Sequence, residues 1–169
     1  MLQVALPDRG QPNKHPRQGD VSMSIEERAT PNPVSWVEQD IQTYIASDGK
    51  DNRHPAGENL ILLYTTGRTS GEIRRVALGS FPSEDGSRLV AASNGGHPSE
   101  PMWYRNLLAD DRVWVRKQAD LYEARATVLE PDERDALWSE ITARIPVMQQ
   151  MQDKAGRVIP IVRLARSAH

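Results

Sequence analysis

The spacing of apolar residues changes period several times along this chain, and each change marks an element. Trp36, Val37, Ile41, Tyr44 and Ile45 recur at helical spacing behind Ser35 as N-cap, and Asp48-Gly49 stops the run. After a polar loop, Leu60 to Thr66 is an unbroken apolar, β-leaning run closed by Gly67, which predicts a buried strand. Arg74 to Phe81 follows as its hairpin partner, and Arg88 to Ser93 forms a third strand after the turn Glu84-Asp85-Gly86-Ser87. Asn94-Gly95-Gly96 breaks that strand. Trp103, Leu107 and Leu108 then share one face of a short helix begun near Pro101. Val113 to Lys117 and Leu121 to Leu129 predict another hairpin. Pro131, Asp132 and Glu133 open a helix running to about Arg144, and Val147 to Lys154 is a further helical stretch. Ile159 to Leu164 is a closing strand, in which Pro160 belongs at a sheet edge or a strand start. Short strands joined by hairpins and interrupted by helices predict an α+β fold around a small antiparallel barrel.

Residues 1–33 depart from this patterning. Five prolines (Pro7, Pro12, Pro16, Pro31, Pro33) stand among polar residues, so this stretch is expected to be a flexible tail, with the folded domain covering 34–169. Met23 opens a more ordinary stretch, and native translation starting there would leave out residues 1–22. Trp36, Tyr44, Trp114 and Trp138 are expected in the core or half-buried.

Composition narrows the chemistry. The 169 residues contain no cysteine, which excludes disulfides, thiolate metal sites and cysteine nucleophiles. A net charge of −2 gives no global case for nucleic acid, so anion binding must come from a local cluster. No apolar run is long enough to span a bilayer and the amino terminus lacks an apolar secretory core, so a cytoplasmic location is expected. The four histidines (His15, His54, His97, His169) have no ligand spacing, and no metal is expected. The carboxylates at Asp110-Asp111 and at Glu130, Asp132 and Glu133 read as a helix end and a helix start.

Two segments carry candidate chemistry. Thr66-Gly67-Arg68-Thr69-Ser70-Gly71 followed by Arg74-Arg75 combines turn glycines, hydroxyl donors and guanidinium forks, the components of a phosphate or carboxylate seat. It is neither a Walker loop nor a dinucleotide fingerprint, and taken alone a polar hairpin turn with solvated arginines explains it equally well. Ser93-Asn94-Gly95-Gly96 sits at a strand end, where paired glycines permit close approach of a ligand. The helix start after it offers free N–H groups to an anion. Met102 and Trp103 there could wall a planar ring or simply belong to the core.

In this order, LILLYTTGRTSGEIRR, VAASNGGHPSEPMWYRNLLAD and VIPIVRLA resemble the three signatures of the deazaflavin-dependent nitroreductase family, over roughly residues 60–165. The resemblance implies a split β-barrel that binds coenzyme F420, an 8-hydroxy-5-deazaflavin with a lactyl phosphate and an oligoglutamate tail. It further implies hydride transfer from the reduced cofactor to a small apolar or activated acceptor such as a quinone, a nitroaromatic or an activated ring. Carried over by position, Thr66 to Gly71 with Arg74 and Arg75 would hold the phosphate and tail. Ser93 to Gly96 would approach the phosphate and ring, Met102 and Trp103 would pack near the deazaflavin, and Tyr104 is the candidate proton donor.

Thr69 and Asn94 stand where the family often has lysine, each a loss of about 1–3 kcal/mol if those lysines bond directly to the ligand. Ile145, Met148 and Met151 replace tyrosines found in nitroimidazole-reducing members, which implies a less polar acceptor pocket. Two further readings stay open at this point: the same barrel using FMN, and a non-catalytic binder of lipid, haem or another apolar ligand. The expected partner is a small molecule, not nucleic acid, and barrels of this kind often pair as homodimers across a sheet face.

Overall fold

The computed structural model describes residues 22–168. Seven antiparallel strands form one sheet: β1 (Leu60–Thr66), β2 (Ile73–Gly79), β3 (Phe81–Pro82), β4 (Arg88–Ala91), β5 (Arg112–Lys117), β6 (Asp120–Val128) and β7 (Ile161–Arg166). Their hydrogen-bonded order is β2-β1-β5-β6-β7-β4-β3. Five helices accompany them: α1 (Ile25–Arg28), α2 (Ser35–Ala46), α3 (Met102–Ala109), α4 (Pro131–Arg144) and α5 (Val147–Ala155).

The two ends of that order are one continuous pass of chain, because β3 follows β2 after Ser80 alone. Ser80 is the bend. Its hydroxyl donates to the Asn59 carbonyl (2.6 Å) and accepts from Arg88 Nη2 (2.8 Å) and Nε (3.0 Å). Below the bend Phe81 and Pro82 pair with Leu89 and Arg88 of β4, and above it β1 is the one described strand that pairs with β2. The sheet therefore closes at one end and opens at the other, between β2 and the upper part of β4. This is a split barrel.

Strand β1 is apolar throughout because both its faces are covered. Ile61 and Leu63 face the barrel interior with Val90, Val113, Val115, Val162 and Leu164. Leu60, Leu62 and Tyr64 lie under Ile41 and Tyr44 of α2. A third cluster packs Trp138 and Ile141 of α4 against Leu89, Ile159 and Ile161. Helix α3 plugs the interior, where Trp103, Tyr104 and Leu107 join the barrel cluster.

Three expectations differ from the structure. Residues 24–33 are not a loose tail: Ser24 and Glu27 form a capping box that starts α1, and Ala29 bridges to Ile73 at the edge of β2. Glu26 of α1 accepts from Arg116 Nη1 (2.9 Å) and from the Tyr64 hydroxyl (3.1 Å), which anchors this segment to the sheet. The expectation for residues 1–21 falls outside the described residues. The single strand predicted to Phe81 is two, split by the bend. Pro160 stands at the start of β7, as its missing N–H requires, and its carbonyl accepts from Ala92 N–H (2.9 Å). Trp36 is 67% exposed, whereas Trp138 is buried and Trp114 half-buried.

Candidate active site

The open end of the barrel holds a cleft of about 720 Å³. Val76 and Leu78 of β2 form one wall and Ala91, Ser93, Asn94 and Gly95 form the opposite one. Pro101, Met102, Trp103 and Asn106 make the floor, and Thr30 to Pro33 border the mouth. The loop between β1 and β2 contributes Gly67, Arg68, Thr69 and Ser70, and β2 adds Arg74 and Arg75. Three arginines thus line the cleft, and among the described residues no carboxylate does.

The loop is built so that some of its amides stay free. Gly67 N–H donates to the Glu72 carbonyl and Gly71 N–H to the Gly67 carbonyl, both at 2.8 Å. Glu72 N–H donates to the Ser70 hydroxyl at 3.2 Å. These bonds leave the Thr69 and Ser70 N–H groups without a protein acceptor among the described residues, at the tip beside Arg68. A side chain at Gly67 would meet Ser70 Oγ at 2.7 Å, and Gly71 sits at φ +71°, so each glycine has a steric reason.

Asn106 is the hidden organiser of this corner. Only 4% exposed, it accepts from both the backbone N–H and Nη1 of Arg68 (3.2 Å each) and donates to the Thr65 hydroxyl (3.2 Å). It lies three residues after Trp103 and therefore on the same face of α3, toward the cleft. The sequence signal was available: an asparagine inside an apolar helical face marks a buried polar group that needs partners.

Arg75 is spent differently from Arg74. Alternation along β2 leaves Arg74 exposed and turns Arg75 to the α2 side, where it is buried in an ion pair with Glu38. Burial raises the Glu38 carboxyl, but hydrogen bonds from Asn32 N–H, Gln42 and Arg75 outweigh it and hold the group below its usual range. Arg75 thus reaches the cleft wall as part of a structural pair with its charge already answered, while Arg74 pairs, among the described residues, with the exposed Glu72 alone (2.9 Å).

The second glycine turn also departs from expectation. Asn94, Gly95 and Gly96 are left-handed in succession (φ +48°, +61° and +83°), a reason for Asn at 94 that lysine does not share. Asn94 Nδ2 donates to the Ser99 carbonyl at 2.9 Å. Gly96 does not line the cleft: a Cβ there would lie 3.2 Å from the Met151 carbonyl and from Lys154 Cδ, so its close neighbour is α5 and not a ligand. Gly96→Ala is expected to destabilise the protein by about 1–2 kcal/mol, from the left-handed backbone and the contact with α5. Chemical denaturation checks this, and an unchanged midpoint would refute it.

Tyr104 is not brought to the cleft either. One residue on from Trp103, it turns about 100° around the helix into the barrel cluster, edge-on to the Trp103 ring at 6.2 Å. Burial raises its phenol, with Glu100 adding and Arg157 opposing. Thr66 and Gly71 also lie outside the lining. Sequence reasoning missed Thr65, Asn106, the Val76, Leu78 and Ala91 walls, and the strap Thr30 to Pro33.

The fold and cleft together define a split-barrel protein with a cleft lined by arginines and apolar side chains. Residues 36–165 match the family model of F420H(2)-dependent quinone reductases, and the chain belongs to that family of oxidoreductases. An F420H(2)-dependent quinone reductase of Mycobacterium tuberculosis is 28% identical over 127 residues, covering 73% of this chain and 85% of the relative. The solved structure of an F420-H2 dependent reductase, FDR-A, is 33% identical with a TM-score of 0.56, covering 63% of this chain and 93% of its own. A solved chain described as a domain-swapped dimer is 31% identical with a TM-score of 0.58, covering 79% of this chain and 99% of its own. Among the described residues no helix is long and apolar enough to cross a membrane, and no cluster of candidate ligands could hold a metal ion.

Proposed function

We propose that this protein reduces a quinone with electrons from reduced F420 bound in the cleft. The observation that carries this reading is the lining itself: among the described residues it combines three arginines, two unpartnered amides and no carboxylate with the apolar side chains of Val76, Leu78, Ala91 and Met102. That donor set fits an anionic tail, and the apolar walls fit a planar ring, so the residues present suit the cofactor that the family uses.

When bound, the reduced cofactor supplies a hydride from its deazaflavin ring. The protein's part is orientation. Thr69 and Ser70 N–H with Arg68 and Arg74 bind the phosphate and tail, and Met102 and Trp103 support the ring. Ser93 to Gly95 close the other side. A quinone that accepts a hydride also takes up one proton to become the quinol. Among the described residues the lining holds no histidine, carboxylate or tyrosine, and Tyr104 is turned away, so that proton comes from solvent. The apolar walls favour a flat, uncharged acceptor over a charged one.

Anaerobic mixing of the protein with reduced F420 and a soluble quinone, following the return of oxidised F420, tests the reading. Quinone-dependent oxidation above the protein-free rate is expected. Tight binding of FMN or haem, with none for F420 in a Trp fluorescence titration, would overturn it.

A further inference from the structure

Arg157 lies just beyond α5, after the left-handed Gly156 that ends the helix. Its guanidinium reaches back some sixty residues to the second glycine turn. Nη2 donates to the carbonyls of Ala92 (3.0 Å), Ser93 (3.3 Å) and Ser99 (3.4 Å), and Nε donates to that of His97 (3.4 Å). One cation thus faces four carbonyl dipoles that bracket the turn at both ends.

The turn needs such a hold. Three successive left-handed residues, one of them not glycine, form a sparsely populated backbone that persists only where its surroundings over-determine it. The bonds within the turn are few: Gly96 N–H to Ser93 O (2.9 Å), His97 N–H to Asn94 O (3.1 Å), Asn94 Nδ2 to Ser99 O, and Ser99 N–H to His97 Nδ1 (3.0 Å). Arg157 is not part of the cleft lining, whereas Ser93, Asn94 and Gly95 are. The carbonyls it binds at Ala92 and Ser93 are therefore drawn away from the ligand side. With the guanidinium gone, the glycine-rich backbone is free to rotate its peptide units, which would turn negative oxygen ends toward an anionic ligand.

We propose that Arg157 is a positioning residue for cofactor binding, pinning the carbonyls of Ala92, Ser93, His97 and Ser99 so that Asn94 to Gly96 keep their left-handed form and the Ser93–Gly95 wall keeps its place. No contact between Arg157 and the ligand is required. The inference rests on F420 as the ligand of the cleft, and one of its readouts is independent of any ligand.

The test compares wild type with Arg157→Met, which keeps the length and removes the charge, and Arg157→Lys, which restores a cation with a different donor pattern. Amide hydrogen exchange at residues 93–97 is followed in the ligand-free protein, and F420 affinity is followed by Trp fluorescence. Arg157→Met is expected to exchange at least tenfold faster over residues 93–97 and to bind F420 at least tenfold more weakly. Arg157→Lys should fall between the two, and added methylguanidinium should restore binding to Arg157→Ala, whose short side chain leaves room for it, while leaving wild type unchanged. Wild-type affinity in Arg157→Met overturns the proposal. So does weaker binding that follows a general loss of thermal stability and is rescued by neither lysine nor methylguanidinium. Wild type that fails to bind F420, with residues 93–97 still exchanging faster in Arg157→Met, tells against the F420 reading and leaves the brace standing.

Discussion

Arg116→Met is expected to lower the stability of the protein by about 3–5 kcal/mol. Arg116 is 7% exposed on β5, and its guanidinium donates to Glu26 of α1 (2.9 Å), to Asp48 at the end of α2 (2.8 Å) and to the Ile45 carbonyl (3.2 Å). Three segments distant in sequence meet on one cation. Its removal strands the Glu26 carboxylate beside the buried Tyr64 hydroxyl, where solvent can answer it only in part, and that uncompensated charge dominates the cost. Asp48 contributes less, because its side chain is 57% exposed and already well solvated. At this chain length the loss corresponds to a fall in Tm of roughly 6–20 °C. Urea denaturation measures it directly. The companion variant Glu26→Leu in the Arg116→Met background should recover part of the loss, since the stranded charge goes with it. A single-variant loss below about 1 kcal/mol would show that the pair is solvated and carries little.

Arg68→Ala is expected to weaken F420 binding ten- to a hundredfold, about 1.4–2.8 kcal/mol, with little change in stability. The substitution deletes a guanidinium beside the free Thr69 and Ser70 amides, yet keeps the Arg68 backbone N–H on Asn106 that shapes the loop. Asn106→Leu is the contrasting change. It removes that anchor and leaves the Thr65 hydroxyl and the Arg68 N–H unpartnered, so it should cost both affinity and stability. The Arg68 contribution should also shrink at high salt, because the loop is exposed. Equal F420 affinity in wild type and Arg68→Ala would reduce the loop to turn chemistry.

Much of this architecture was legible in the sequence where one local rule decided the outcome. The uninterrupted apolar run of β1 could only be a strand covered on both faces, and the hairpins announced themselves through Gly67 to Ile73 and Glu84 to Ser87. The glycine-basic loop was recognisable because its chemistry is contiguous. What escaped was chemistry assembled from distant positions. Asn106, Arg116 and Arg157 each act on segments 38 or more residues away, and nothing in the local pattern names a partner at that distance. The start of α1 was a different kind of miss. Ser24 and Glu27 have the spacing of a capping box, but the neighbouring prolines outweighed it, and tertiary contacts through Glu26 reversed that balance.

The two halves of the cleft are only about 25 residues apart in the chain yet sit near opposite ends of the strand order, with β1, β5, β6 and β7 between β2 and β4. Strand β4 joins the main sheet through β7, paired from Arg88↔Leu164 to Ala91↔Ile161. Without that final strand the arginine loop and the glycine turn would be joined only through the short β3–β4 hairpin, and the far side of the sheet would not hold them at a fixed distance. A fixed width of the cleft is accordingly a property of the completed sheet, and docking of β7 is the step that sets it.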